Sequence, residues 1–170
     1  MKFDLTYIQL NKLQNFEYEI YDGDYDHIPS YLNIIEDAFN ESAEIKFTFS
    51  SLEENWNVFL FYDFSVFTIQ LLNIYQLCNG NTKEKYLLDF YAQGTERKLL
   101  LTKTDETTIK IENGSGEKWK SPIPYEYVNI AELQKDTLQF VHKIKTIIEI
   151  VYPELNTLEM IQKWYHSFEE

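Results

Sequence analysis

The chain has 170 residues and a formal net charge of −13, with 15 Lys and Arg against 28 Asp and Glu. That balance argues against nucleic acid and membrane surfaces as partners, because both demand a cationic footprint. A hydrophobic content of 44%, with 16% aromatic, is too rich for a disordered chain, so the acids belong to the surface of a folded body.

The length suits a single domain over residues 1–170, and no linker, repeat or low-complexity tract divides it. The one cysteine, Cys78, excludes an internal disulfide framework and is compatible with a reducing compartment. The start Met1-Lys2-Phe3-Asp4 has no apolar signal core, and no run of about 18 apolar residues occurs, so a cytoplasmic location is expected.

Phe3, Leu5 and Tyr7 alternate with polar neighbours, as do Phe16, Tyr18 and Ile20, and both stretches read as half-buried strands joined through Asn11 to Asn15. An acidic turn follows, Asp22-Gly23-Asp24-Tyr25-Asp26-His27. Ser30 to Asn40 has helical spacing after a Ser30 cap, with Glu36 and Asp37 expected toward solvent. Ile45, Phe47 and Phe49 form a one-sided strand. Trp56 to Tyr62 is apolar on both faces and reads as a central strand. Ser65 to Cys78 suits a buried helix closed by Asn79-Gly80, although its apolar density also fits a strand.

Three short strands follow at Tyr86 to Tyr91, Lys98 to Lys103 and Thr107 to Glu112, with the spacing of an antiparallel meander. Asn113-Gly114-Ser115-Gly116 reads as a hairpin turn, and Trp119 to Tyr127, with Pro122 and Pro124, as an extended connection. Asn129 and Glu132 resemble a capping box, after which Leu133, Leu138, Val141, Ile144, Ile147, Ile148 and Val151 form a stripe up to Pro153. A last helix spans about Asn156 to Phe168. The expected fold class is α+β, an antiparallel sheet with helices packed on it, two of them C-terminal.

Chemical equipment is sparse. Asp22, Asp24 and Asp26 have the spacing of a calcium loop, but His27 stands where glycine is needed and Asn33 where the bidentate glutamate belongs. Cys78, His27, His142 and His166 never fall in a paired zinc spacing. No Gly-x-Ser-x-Gly elbow and no phosphate-binding glycine loop occurs, and Arg97 is the single arginine. No metal, cofactor or catalytic residue is therefore expected, and Cys78 reads as a buried structural thiol.

The charge is skewed: residues 1–60 carry twelve acids against three lysines. Within them Glu17, Glu19, Asp22, Asp24 and Asp26 are interleaved with Tyr21 and Tyr25. Aromatic rings that can be buried, flanked by carboxylates that steer a cationic surface, mark these seven residues as the expected partner-binding site, with a solubilising surface as the plain alternative.

The middle of the chain carries a resemblance. Phe64-Ser65-Val66-Phe67 through Leu77, Asn79-Gly80, the run Leu87-Leu88-Asp89-Phe90-Tyr91-Ala92-Gln93-Gly94-Thr95-Glu96-Arg97, and Trp119 after the next hairpin are similar to small bacterial immunity proteins of polymorphic toxin systems, such as contact-dependent growth inhibition. The likeness is one of layout over about residues 64 to 151 and transfers no binding residue. It implies a non-enzymatic cytoplasmic inhibitor that binds and blocks a cognate toxin domain, often a basic nuclease. Carboxylates standing in for nucleic-acid phosphates, or an open strand pairing with a toxin hairpin, would be its two modes. The alternative from another class is a ligand-binding protein or enzyme with a pocket between sheet and helices, lined by Trp56, Tyr62 and Tyr91.

Overall fold

The structure is a computed structural model and describes residues 1–8, 28–29, 31–32, 36, 45–80, 84–91, 95–151 and 153–169. The fold is α+β, with open antiparallel sheets and helices packed on them. Strands β1 (Lys2–Tyr7), β2 (Ile45–Ser51) and β3 (Glu54–Trp56) form one sheet in that order. Strands β4 (Lys85–Asp89), β5 (Lys98–Lys103), β6 (Thr108–Asn113) and β7 (Tyr125–Asn129) form a second; β4 to β6 follow the expected meander, and β7, in a stretch expected as a connection, adds a fourth strand. The helices are α1 (Leu60–Thr68), α2 (Leu71–Cys78), α3 (Ile130–Val151) and α4 (Glu159–His166).

Alternation decides which face each strand buries. Phe3 and Leu5 of β1 and Ile45, Phe47 and Phe49 of β2 turn inward, as do Leu88, Leu99, Leu101, Ile109 and Ile111 of the second sheet. Phe67 of α1 sits where these surfaces meet. Its ring centroid lies 4.8 Å from that of Phe3, 5.4 Å from Phe47, 5.5 Å from Phe49, 5.9 Å from Phe90 and 5.4 Å from Phe140 of α3. One cluster of buried residues therefore draws on both sheets and on the helices.

Several boundaries differ from the sequence reading. β1 pairs with β2, Lys2 opposite Ser50 and Tyr7 opposite Ile45; the expected partner strand at Phe16 to Ile20 lies outside the described residues. Trp56 to Tyr62 is not a central strand. β3 ends at Trp56 on the sheet's edge, and Leu60 already begins α1, because the Asp63 carboxylate reaches back 2.7 Å to accept the Phe59 N–H and closes the first turn. The single helix expected over Ser65 to Cys78 is two, joined at Ile69 and Gln70. Of the helix expected at Ser30 to Asn40, Tyr31, Leu32 and Glu36 are described, helical and buried. Glu36 does not face solvent: it is 3% exposed, and its Oε1 accepts the Ser65 N–H at 3.0 Å.

Asn113 to Gly116 is no tight hairpin either. The Ser115 hydroxyl accepts the Lys98 N–H at 2.7 Å, so the loop folds back on β5, and β7 begins only after Pro124. Gly114 is required there by space. A Cβ on it would lie 2.8 Å from Leu87 Cδ1 and 3.3 Å from the Leu100 nitrogen.

Asn129 caps α3, its Oδ1 accepting the N–H groups of Ala131 and Glu132 at 2.9 and 3.2 Å. Along α3 the buried stripe is Leu133, Phe140, Val141, Ile144, Ile147 and Ile148; Leu138 leaves it, 38% exposed. Thr137 takes the inward position one residue earlier, its hydroxyl donating to the Leu133 carbonyl at 2.8 Å. α4 closes on α2 through Tyr75 and Phe168, with centroids 5.5 Å apart.

Arg97 ties the two sheets together. Its guanidinium stands 5.2 Å from the Trp56 ring and 4.6 Å from the Trp119 ring, and it donates to Glu54 Oε1 at 2.8 Å. Glu54 Oε2 accepts the Trp119 indole N–H at 3.2 Å, so both its oxygens are used. A planar cation stacked on two rings is not replaced by a point charge, and Arg97→Lys is expected to cost about 1–2 kcal/mol of stability. Urea melts of the single variants and of the pair with Glu54→Gln test this; an unchanged midpoint for Arg97→Lys would show that charge alone matters.

Asp63 supplies a pH signature. It is fully buried, its Oδ2 accepting from the Phe59 N–H and the Thr95 hydroxyl, while Oδ1 has no hydrogen-bond partner among the described residues. Burial pushes its carboxyl above the ordinary 3.8, outweighing those hydrogen bonds. The folded state then binds a proton more readily than the unfolded one, so stability at this site is greatest at low pH and falls as pH rises through the raised value. Relative to Asp63→Asn, the wild type should lose stability between pH 4 and pH 7 in paired denaturant melts. A constant difference would show an ordinary carboxyl.

Candidate interaction surface

Helices pack against one face of the four-stranded sheet, and among the described residues no element covers the other. The register aligns Leu87, Leu100, Glu112 and Tyr125 in one row across it and Lys85, Thr102, Lys110 and Tyr127 in the next. Leu87 and Tyr125 are each 44% exposed and Tyr127 is 59% exposed. The two tyrosine rings pack edge to face with centroids 5.4 Å apart, and Lys110 Nζ lies 4.8 Å from the Tyr125 ring. Lys110 also donates to Glu112 Oε1 at 2.8 Å, and this bond raises the pKa of its ammonium. Lys98 and Asp89 pair on the same face at 2.6 Å.

These side chains are preorganised by their neighbours, present aromatic area and have their charges locally compensated. That is the composition of a protein-binding patch. The sequence reading missed this patch, because Tyr125 and Tyr127 fall in a stretch that Pro122 and Pro124 mark as a connection.

The sheet's two edges differ. On β4 the Gln70 amide takes the place of a further strand: its Oε1 accepts the Asp89 N–H and its Nε2 donates to the Asp89 carbonyl, both at 2.9 Å. On β7, even-numbered residues face β6, so Tyr125, Tyr127 and Asn129 turn their peptide groups outward, where no strand pairs with them among the described residues. An open edge of this kind accepts an extended segment from another chain.

The expected partner-binding residues Glu17, Glu19, Tyr21, Asp22, Asp24, Tyr25 and Asp26 lie outside the described residues. Of the expected pocket residues, Trp56 is buried against Phe49, Phe90 and Trp119, whereas Tyr62 and Tyr91 are exposed. A trough of about 700 Å³ takes Trp56 into its lining without the other two. Cys78 is buried, and burial pushes its thiol up to about 12 despite the nearby Lys103 charge, as suits a structural residue. Among the described residues no cluster of three or more His, Cys, Asp or Glu is placed to hold a metal, and no helix is long and apolar enough to cross a membrane.

Fold and surface together define an α+β protein with two open antiparallel sheets, one of them presenting a tyrosine-bearing face and an edge that no strand pairs among the described residues. Comparison with protein-family models, with curated proteins and with solved structures returned no match to this chain.

Proposed function

We propose that the chain is a non-enzymatic immunity protein of the cytoplasm, which binds a cognate toxin domain and blocks its active or substrate-binding surface. The observation that carries this reading is an uncovered face bearing Leu87, Tyr125 and Tyr127 beside the open β7 edge, in a chain of net charge −13. Aromatic anchors supply contact area, and the excess of carboxylates speeds encounter with a basic partner. A nuclease domain, with Lys and Arg arrayed for phosphates, is the partner class that such charge selects.

The test begins with affinity capture from a lysate of the source organism, eluted by a salt gradient and read by mass spectrometry. The captured protein's C-terminal domain is then expressed alone and together with this chain. Growth arrest by the domain and rescue by the chain are the expected results; a captured domain that does not arrest growth, or arrest without rescue, counts against the reading.

Binding kinetics then separate the two surfaces. Tyr125→Ala combined with Tyr127→Ala should raise the dissociation rate about 30-fold or more, as for loss of two interface aromatics, with little change in melting temperature because both side chains are exposed. Replacing Asp22, Asp24 and Asp26 together with Asn should instead slow association and flatten its salt dependence. Kinetics unmoved by either set would exclude both surfaces.

A further inference from the structure

The outer face of the three-stranded sheet carries charge of the opposite sense to the rest of the molecule. Lys2, Asp4 and Thr6 of β1 and Lys46, Thr48 and Ser50 of β2 alternate away from the phenylalanine core. All of these except Thr6 line a trough of about 700 Å³, a volume in the range of ligand sites. Asn55 and Asn57 continue the lining at the β3 side, and Asp136, Gln139 and Lys143 of α3 wall the other. The lining thus holds three lysines against two aspartates, in a chain where acids outnumber bases by 28 to 15.

The Asp4–Lys143 ion pair spends one of each, leaving Lys2 and Lys46 against Asp136 in the lining. Lys2 and Lys46 have no ion-pair partner among the described residues, and the side chains of Ser50, Asn55, Asn57 and Gln139 make no hydrogen bond there. Trp56, 5% exposed, lines the trough with its indole N–H buried and without an acceptor. Two ammonium groups without a carboxylate partner fit a ligand that chiefly accepts hydrogen bonds.

The register gives its shape. Lys2 lies in the cross-strand row of Ser50 and Asn55, Asp4 and Thr48 form the row two residues on, and Lys46 stands opposite Thr6 two residues further. The two lysine rows are four residues apart, roughly 13 Å at the strand rise, with Lys143 between them. Two separated ammonium groups match anionic groups strung along a line. Clustered phosphates would call instead for an arginine fork or a glycine loop. In an extended peptide, carboxylates at alternate positions lie on one side, and those four residues apart span the same roughly 13 Å.

We propose that this trough binds an extended acidic segment of a partner protein, with carboxylates four positions apart seated on Lys2 and Lys46 and the Lys143–Asp4 ion pair lying between them. The assignment does not rest on the toxin-binding reading, which uses other residues and expects a basic surface.

The test is fluorescence anisotropy of the full chain with a fluorescein-labelled heptapeptide alternating glutamate and threonine. Saturable binding that weakens with salt is expected, and Lys2→Glu with Lys46→Glu should weaken it about tenfold or more. Lys120→Glu with Lys135→Glu changes net charge equally but lies outside the trough, and should alter binding less than about twofold. All four lysines stand on the surface, and a thermal melt verifies the fold of each variant. Amide shifts of the wild type on peptide addition should concentrate at Ser50, Asn55 and Gln139. Absence of saturable binding, equal effects of the two lysine pairs, shifts centred elsewhere, or equally tight binding of a single-stranded oligonucleotide would each overturn the proposal.

Discussion

Replacing Phe67 with alanine is expected to lower the unfolding free energy by about 3–5 kcal/mol, the range for emptying an aromatic site in a packed core. Phe67 is fully buried, and its ring meets Phe3, Phe47 and Phe49 from the first sheet, Phe90 beside β4, and Phe140 from α3. Neighbours held by two separate sheets and a 22-residue helix can relax only partly into the space, so the cavity term adds to the lost transfer energy. At about 2–4 °C per kcal/mol for a chain of this size, the melting temperature should fall by roughly 6–20 °C. Phe67→Leu, which keeps most of the volume, should cost clearly less. Equal losses for the two variants in denaturant melts would mean that the site collapses freely and that Phe67 does not join the layers.

Gln70→Ala should follow, at about 2–4 kcal/mol, for a different reason. Every hydrogen-bonding position of this buried amide is in use. Nε2 donates to the carbonyls of Val66 and Asp89, while Oε1 accepts the Asp89 N–H and the Tyr86 hydroxyl. Truncation removes a side chain but leaves a peptide N–H, two peptide C=O groups and a phenol to find other partners, and unmade bonds cost more than made ones stabilise. Burial pushes the Tyr86 hydroxyl up to about 12, and loss of its acceptor leaves that group poorly placed. Gln70→Glu is the sharper variant: it keeps the shape but cannot donate to both carbonyls when ionised, and it brings a charge to a buried place. Its loss should exceed that of Gln70→Ala at pH 7 and shrink toward pH 4, as the carboxyl protonates. Hydrogen exchange at Asp89 should quicken in both. Unchanged exchange would show that the β4 edge is closed by something other than Gln70.

The two substitutions also separate what a linear reading can and cannot reach. That Phe67 is core was legible from an apolar run, but its five aromatic neighbours come from positions as distant as Phe3 and Phe140. Gln70 gave no signal, because a glutamine between apolar residues carries nothing in its spacing to say which peptide it will meet. The break it makes between α1 and α2 contains neither proline nor glycine. The strand expected at Trp56 to Tyr62 failed similarly: Val58, Leu60 and Tyr62 alternate like a strand, yet one hydrogen bond from the Phe59 N–H to the Asp63 carboxylate starts a helix. Glu36 reads as solvent-facing by composition and is buried because α1 offers it the Ser65 N–H.

The interaction surface was only partly legible. The acidic cluster at Glu17 to Asp26 stands out in the sequence because charge density is a one-dimensional property, and its residues lie outside the described structure. Tyr125 and Tyr127 gave no comparable signal, since Pro122 and Pro124 make their stretch look like a plain connection. They become a patch only when β6 places Lys110 and Glu112 beside them and the meander adds Leu100 and Leu87 in the same rows.

Composition and period by themselves determined that this chain folds, that it is α+β, that β4 to β6 run as a meander and that a capped helix starts after Asn129, because each follows from neighbours a few residues apart. The tertiary structure alone decided that β1 pairs with β2, that Gln70 closes one sheet edge while β7 leaves the other open, that Arg97 locks Trp56 against Trp119, and that lysines scattered at positions 2, 46 and 143 share one trough. The physical reason is the same in each case: local hydrogen bonding and side-chain alternation are written along the chain, whereas the partner of a buried polar group, and the side of a sheet left uncovered, depend on which distant surfaces pack together.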